Sequence, residues 1–313
     1  MVARESLFRE LVKNGYAQDN SKKVWNIANM SLLYLSNDMA KAFLRLKEHP
    51  RYKATIIDIE INLLKKYAKE LFKDFNYKDF NLINMGCNDG TKAKVLLKEL
   101  DKDLKIRYCA VCVNSYVNRL AIENVKKGRF VNVADYVQRI IPDFDEMYDV
   151  GIALRNSRYS RNVCLLLGSL LGGFEINDYL FKLSNSMLPG DMLIIGNGIR
   201  TGERLVNLET YKHPIFNQWF IHLIKEIGLD ESEVDYDAHF ANNRVEGFYR
   251  IKVDKVIEFG KKKFNFSKGD EILVAVLYKY YEKELENFCK MYFSNVKLFK
   301  DPEEEYALVA CRK

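Results

Sequence analysis

The sequence of 313 residues contains no uncharged apolar run of the ~20 residues needed to cross a bilayer; stretches such as Asn162 to Phe174 fall short. Its first residues include Arg4, Glu5, Arg9 and Glu10, where an export signal requires an apolar run, so a cytoplasmic protein is expected. Six cysteines in a chain this long do not form a disulfide framework, and a reducing compartment is the default. The histidines His49, His213, His222 and His239 have no ligand spacing. Cys109 and Cys112 form a C-x-x-C, but residues three apart on a strand point to opposite faces. They read as buried core thiols, and no metal is expected. A phosphate-binding loop and a kinase motif set are missing, and Ser169 lacks the Gly-x-Ser-x-Gly elbow. Hydrolase, metalloenzyme and kinase chemistry therefore have no support. A dense basic stripe is also lacking. Lys+Arg 49 against Asp+Glu 43 gives +6, spread along the chain, and the densest cluster, Lys261-Lys262-Lys263, reads as a solvated turn.

What is present is an ordinary globular balance, 48% hydrophobic and 29% charged, in a chain long enough for one large or two ordinary domains. Residues 1–75 read as helical, with apolar stripes through Leu32 to Leu46 and through Ile59, Leu63, Leu64, Tyr67 and Leu71. The pattern then alternates. Strands are predicted at Phe80–Met85, Ile106–Val113, Phe130–Val133, Val163–Leu167 and Met192–Ile195. Helices are predicted at Thr91–Leu100, Ser115–Lys126 and Asn177–Met187. This alternation argues for an α/β fold, a parallel Rossmann-like sheet with helices on both faces. After Gly198 it stops. A helix over Tyr211–Ile227 is followed by strands at Gly247–Val253, Lys255–Phe259 and Glu271–Tyr280. Helix Glu282–Tyr292 and an antiparallel pair, Val296–Phe299 with Tyr306–Cys311, complete the chain. The expected division is a core of 76–199 with 281–313, and a second α+β domain of 1–75 with 200–280.

Ligands of open α/β sheets sit outside the carboxyl ends of the strands. The first such end is the turn Gly86-Cys87-Asn88-Asp89-Gly90, which is not a dinucleotide fingerprint. The second reads Cys112-Val113-Asn114, with no carboxylate to accept from ribose hydroxyls. The third leads into Ala134-Asp135-Tyr136, an acid and an aromatic suited to a purine. The fourth ends in Leu167-Gly168-Ser169-Leu170-Leu171-Gly172-Gly173-Phe174, whose glycines call for a close backbone approach.

With these segments in place, the chain resembles the S-adenosylmethionine-dependent histidine Nα-methyltransferases of ergothioneine biosynthesis and their wider relatives. Gly86 and Lys92 match a Gly-turn followed by a Lys-containing helix start. Leu167 to Phe174 is similar to the family's Leu-Gly-Ser-Thr-Ile-Gly-Asn-Phe, and Leu188-Pro189-Gly190-Asp191-Met192-Leu193 is similar as well. His49-Pro50-Arg51-Tyr52 resembles its Pro-Glu-Tyr-Tyr, and Gly269 to Tyr280 resembles the end of its substrate domain.

The resemblance implies a class I methyltransferase sheet plus a substrate domain, with S-adenosylmethionine across Gly86, Asn88, Lys92, Cys112, Val113, Asp135, Tyr136, Gly168 and Ser169. It places the acceptor near Tyr52, Gly173, Tyr211, Ala275 and Leu277, in a cleft between the units. Gly173, Ala275 and Leu277 fall where the family has an Asn, a Glu and a Ser that hold histidine. A small amine or amino-acid-like acceptor other than histidine is therefore expected. A protein or RNA methyltransferase, and a non-catalytic scaffold on the same fold, are the alternatives. No catalytic side chain is singled out, and the oligomeric state is left open.

Overall fold

The computed structural model describes residues 2–202 and 208–313, and the chain divides into two compact units. One consists of Lys53–Glu203 with Lys279–Lys313, the other of Met1–Tyr52 with Arg204–Tyr278.

The larger unit begins with a π-helical turn, Lys53–Ile57, and runs through α1 (Asp58–Phe72), β1 (Asp79–Met85), α2 (Thr91–Glu99), β2 (Lys105–Cys112), α3 (Ser115–Lys127) and β3 (Val133–Ile140). It continues with β4 (Asn162–Leu166), α4 (Ile176–Ser186), β5 (Met192–Arg200), α5 (Glu282–Tyr292), β6 (Asn295–Lys300) and β7 (Tyr306–Arg312). The sheet order is β6-β7-β5-β4-β1-β2-β3. All neighbours from β5 through β4, β1 and β2 to β3 are parallel, and β7 alone runs antiparallel, between β5 and β6. Apolar residues of the central strands are buried along their length, as expected where helices cover both faces. The order reverses at the β1/β4 boundary, the switch point where ligands of such sheets bind.

Buried polar residues fix this core. Asn81 of β1 donates to Asn162 Oδ1 at 2.8 Å and accepts from Arg107 Nε at 2.7 Å. Asp191, fully buried, accepts from Asn162 N at 2.9 Å, Leu188 N at 2.8 Å and Arg155 Nη1 at 3.0 Å. Gly90 (φ 77°) lets α2 approach α3, because a Cβ there would lie 2.8 Å from the Ala121 carbonyl oxygen.

Helix α1 belongs to this unit, so the division falls at 52/53 rather than at 75/76. Its stripe of Leu63, Leu64 and Leu71 is buried as α1 packs on α2 and β7. Arg312 Nη2 of β7 donates to the Leu71 carbonyl at 3.1 Å.

The strand after α3 also differs from expectation. It spans Val133–Ile140, not Phe130–Val133, and every side chain along it is half-buried or exposed. An edge strand with no fully buried side chain carries no apolar run, which is why V-A-D-Y-V-Q-R-I does not read as a strand.

The smaller unit packs helices Val2–Asn14, Asn37–Glu48 and Pro214–Ile227 with a five-stranded sheet in the order Tyr16–Asp19, Lys22–Asn26, Glu271–Tyr278, Arg244–Ile251, Val234–Ala241. A separate hairpin joins Lys255–Phe259 to Lys262–Phe266. Residues 1–75 are thus not all helical. The hairpin Tyr16–Asp19/Lys22–Asn26 interrupts them, flanked by the left-handed Gly15 and turning at the left-handed Asn20. Phe8 stacks on Phe259 at 4.3 Å, and Trp219 packs on Phe43 at 4.7 Å while donating to the Leu33 carbonyl at 3.2 Å.

Candidate functional site

The carboxyl ends of β1, β2 and β4 form one edge, and the expected Gly86, Asn88, Lys92, Cys112, Val113, Gly168 and Ser169 all lie along it. Gly86 (φ 63°) is glycine for an internal reason: a Cβ there would sit 2.5 Å from Leu170 Cδ2. The turn is held by its own side chains. Asn88 (φ 50°) accepts from Asp89 N at 2.8 Å, and Asp89 accepts from Thr91 N at 3.1 Å and Thr91 Oγ1 at 2.8 Å. Asp89 therefore closes the entry to α2, a role that composition alone does not reveal.

Beside the turn, Cys87 N donates to the Val111 carbonyl at 3.1 Å, which brings the Cys87 and Cys112 thiols together at the end of β2. Burial pushes the Cys87 thiol far up, and its Sγ donates to Asn118 Oδ1 at 3.2 Å. Val113 is half-buried, and Asn114 caps α3 by accepting from Tyr116 N at 2.9 Å. Neither Cys112 nor Asn114 puts a carboxylate at this strand end.

A row of buried charge crosses the ends of β4 and β5. Glu60 of α1 is 0% exposed. Its Oε1 accepts from Gly168 N at 2.9 Å, and its Oε2 is ion-paired with Lys92 Nζ from the first turn of α2. Three glycines make room for these groups. A Cβ at Gly168 would crowd Lys92 Nζ, one at Gly196 would collide with Glu60 Oε1, and one at Gly198 with Lys279 Nζ. Ser169 (φ 60°) turns inward, accepting from Gly198 N at 3.0 Å. Burial, and then the Glu60 carboxylate, push the Tyr306 hydroxyl of β7 far above the usual tyrosine range.

Lys279 gives a measurable signature. Burial pushes its ammonium down to about 8, with Glu305 opposing. A lowered lysine is protonated more readily in the unfolded chain, so its burial costs stability below pH 8, and the cost is relieved as pH rises toward 10.5. The stability difference between Lys279→Met and wild type is expected to shift by about 2–3 kcal/mol from pH 7 to pH 10. Urea melts at the two pH values measure this, and a constant difference would refute it.

Asp135 and Tyr136 require correction. They lie opposite Arg107 and Tyr108, near the amino end of β2 and well away from the carboxyl edge. Asp135 is exposed, and the Tyr136 ring lies 5.0 Å from Lys126 Nζ. The carboxyl end of β3 instead reads Ile140-Ile141-Pro142-Asp143-Phe144, with Ile141 N donating to the Cys112 carbonyl at 3.2 Å. An acid followed by an aromatic thus does stand at the third strand end, eight residues further on. Asp143 is half-buried and accepts from Asp145 N at 2.9 Å, and Phe144 is buried. The signal that finds this pair is Pro142, which stops the strand just before it.

Of the acceptor positions, Gly173 closes a 3-10 turn after β4 in the larger unit. The others lie in the smaller unit. Tyr52 and Tyr211 are buried, and their rings lie 5.6 and 5.5 Å from that of Phe216. Ala275 pairs with Gly247, whose open side faces Tyr236 and Phe220, and Leu277 follows on the same face of the strand. Glu271 to Val274 are buried on both faces, and beyond a bulge between Leu273 and Ala275 the strand is half-open. Among the described residues no group of three or more His, Cys, Asp or Glu side chains is placed to hold a metal, and no helix is long and apolar enough to cross a membrane.

The donor implied by the resemblance carries a purine, a ribose diol, a sulfonium and a zwitterionic amino-acid end. Lys92 offers a half-buried cation at the switch point, and Asp143 offers a carboxylate two strands away. These fit the amino-acid and base ends, whereas the ribose position has a thiol.

Solved structures to which the chain is similar include an S-adenosylmethionine-dependent methyltransferase from Clostridium acetobutylicum (14% identity, 87% of this chain and 98% of that one, TM-score 0.48). They also include the PH0226 protein from Pyrococcus horikoshii (13%, 87% and 98%, 0.45). A third is CalS10, an amino pentose methyltransferase from Micromonospora echinaspora (11%, 89% and 98%, 0.40). No curated protein matches the chain in sequence. The model of the histidine-specific, S-adenosylmethionine-dependent methyltransferases matches residues 29–313, and it is to this family that the chain belongs.

Proposed function

We propose that this methyltransferase acts on a small amine or amino-acid-like acceptor other than free histidine. The observation that carries the reading is Ala275, set opposite Gly247 beside the aromatic rings of Phe220 and Tyr236. With Leu277, two positions on along the same strand, it replaces two of the polar side chains that the resemblance would require for histidine. Hydrogen bonds to a charged group contribute about 1.5–3 kcal/mol each. Losing two removes about 3 kcal/mol or more, a large part of the binding energy of a millimolar ligand. Tyr52 and Tyr211 supply aromatic surface suited to the apolar part of a smaller or less polar amine.

S-adenosylmethionine supplies the methyl group as an activated sulfonium. Direct displacement at that carbon calls on the protein for placement and electrostatics rather than for a nucleophilic side chain. Lys92 would meet the donor's carboxylate, and Asp143 would accept from the exocyclic amine of its base, beside Phe144. The deciding experiment incubates the protein and labelled donor with histidine and with a panel of small amines. Turnover on the panel and not on histidine is the expected result, and steady methylation of histidine would overturn the reading.

A further inference from the structure

A buried ion pair is a costly way to hold a helix to a sheet, because desolvation opposes much of the attraction and an apolar pair of similar volume often serves as well. Glu60 nevertheless sits fully buried, ion-paired with Lys92 and accepting from Gly168 N, and Gly196 leaves the space its carboxylate fills. The groups it touches are the Tyr306 hydroxyl of β7, a lysine at the start of α2 and the strand end after β4, and the last two are the two sides of the switch point. Glu60 itself does not reach solvent. We infer that Glu60 is a positioning residue that holds the Lys92 ammonium and the Gly168 strand end in place for the amino-acid end of the methyl donor. The inference rests on the donor-site reading above and adds to it a residue of α1, outside the strand ends.

The experiment compares two ligands by calorimetry. S-adenosylhomocysteine keeps the amino-acid end, and 5′-methylthioadenosine keeps the base, ribose and sulfur but lacks it. They are titrated into wild type, Glu60→Gln, Lys92→Gln and the double variant. Glu60→Gln is expected to weaken S-adenosylhomocysteine at least tenfold and to leave methylthioadenosine within twofold, which also reports that the site is folded. In the Lys92→Gln background, Glu60→Gln should add less than twofold, because the two act through one contact. If Glu60→Gln alone does not fold, the double variant removes the buried pair as a whole, and its comparison with Lys92→Gln carries the same test. Equal weakening of both ligands, no change in either, or effects that multiply in the double variant would each overturn the inference. Wild-type protein that binds neither ligand would overturn the donor-site reading itself.

Discussion

Asp191→Ala should unfold the larger unit at or near room temperature. The Asp191 carboxylate is completely buried and receives the Arg155 guanidinium and the backbone N–H groups of Leu188 and Asn162. Removing one partner of a buried charged pair costs about 3–5 kcal/mol. Each N–H left without an acceptor adds about 1–3 kcal/mol. The sum approaches the whole stability of an ordinary domain, about 5–15 kcal/mol. Asp191→Asn keeps one acceptor oxygen and should cost less. Urea denaturation followed by far-UV circular dichroism measures both, and a shift below 1 kcal/mol for the alanine variant would contradict the argument.

Asp143→Ala should weaken S-adenosylhomocysteine about tenfold to a hundredfold, the loss of one buried hydrogen bond of about 1–3 kcal/mol. Asp135→Ala should leave the affinity unchanged, since Asp135 stands at the opposite end of its strand, opposite Arg107. The pair of variants in one calorimetric series separates the two acids. An effect at Asp135 with none at Asp143 would restore the assignment that the sequence suggests.

That contrast marks where sequence reasoning stops. The central strands were readable because both of their faces are buried, which leaves continuous apolar runs such as Ile106 to Val113. The Gly86 turn and the Gly168 segment were readable because a close backbone approach requires glycine. The edge strand β3 is not, because its polar, half-exposed residues carry no periodic signal, so the sequence pattern ends the strand at Val133 and puts Asp135-Tyr136 at a carboxyl end that the structure places after Ile140. Glu60 was hidden for another reason. In the sequence it is one more acid in the first turns of a helix, where the dipole favours acids anyway. Its meaning comes from Gly196, 136 positions away, whose missing side chain admits the carboxylate. The Tyr16–Asp19/Lys22–Asn26 hairpin escaped because its strands are short and mostly exposed.

The pairing of that hairpin with the strand at Glu271 has a consequence for how the protein is made. Lys23 N donates to Asp270 Oδ1 across 247 positions of chain. At a ribosomal rate of about 5–20 residues per second, the Lys22–Asn26 strand leaves the exit tunnel on the order of tens of seconds before its parallel neighbour exists. During that interval its edge is unpaired, and Trp25 and Phe8 have not met the rings of Phe259, Phe264 and Phe266 that will cover them. The larger unit's parallel sheet, by contrast, lays down β1 to β5 in uninterrupted order. The nascent chain is thus expected to finish most of its Rossmann-like unit while the Lys22–Asn26 strand still waits for its neighbour.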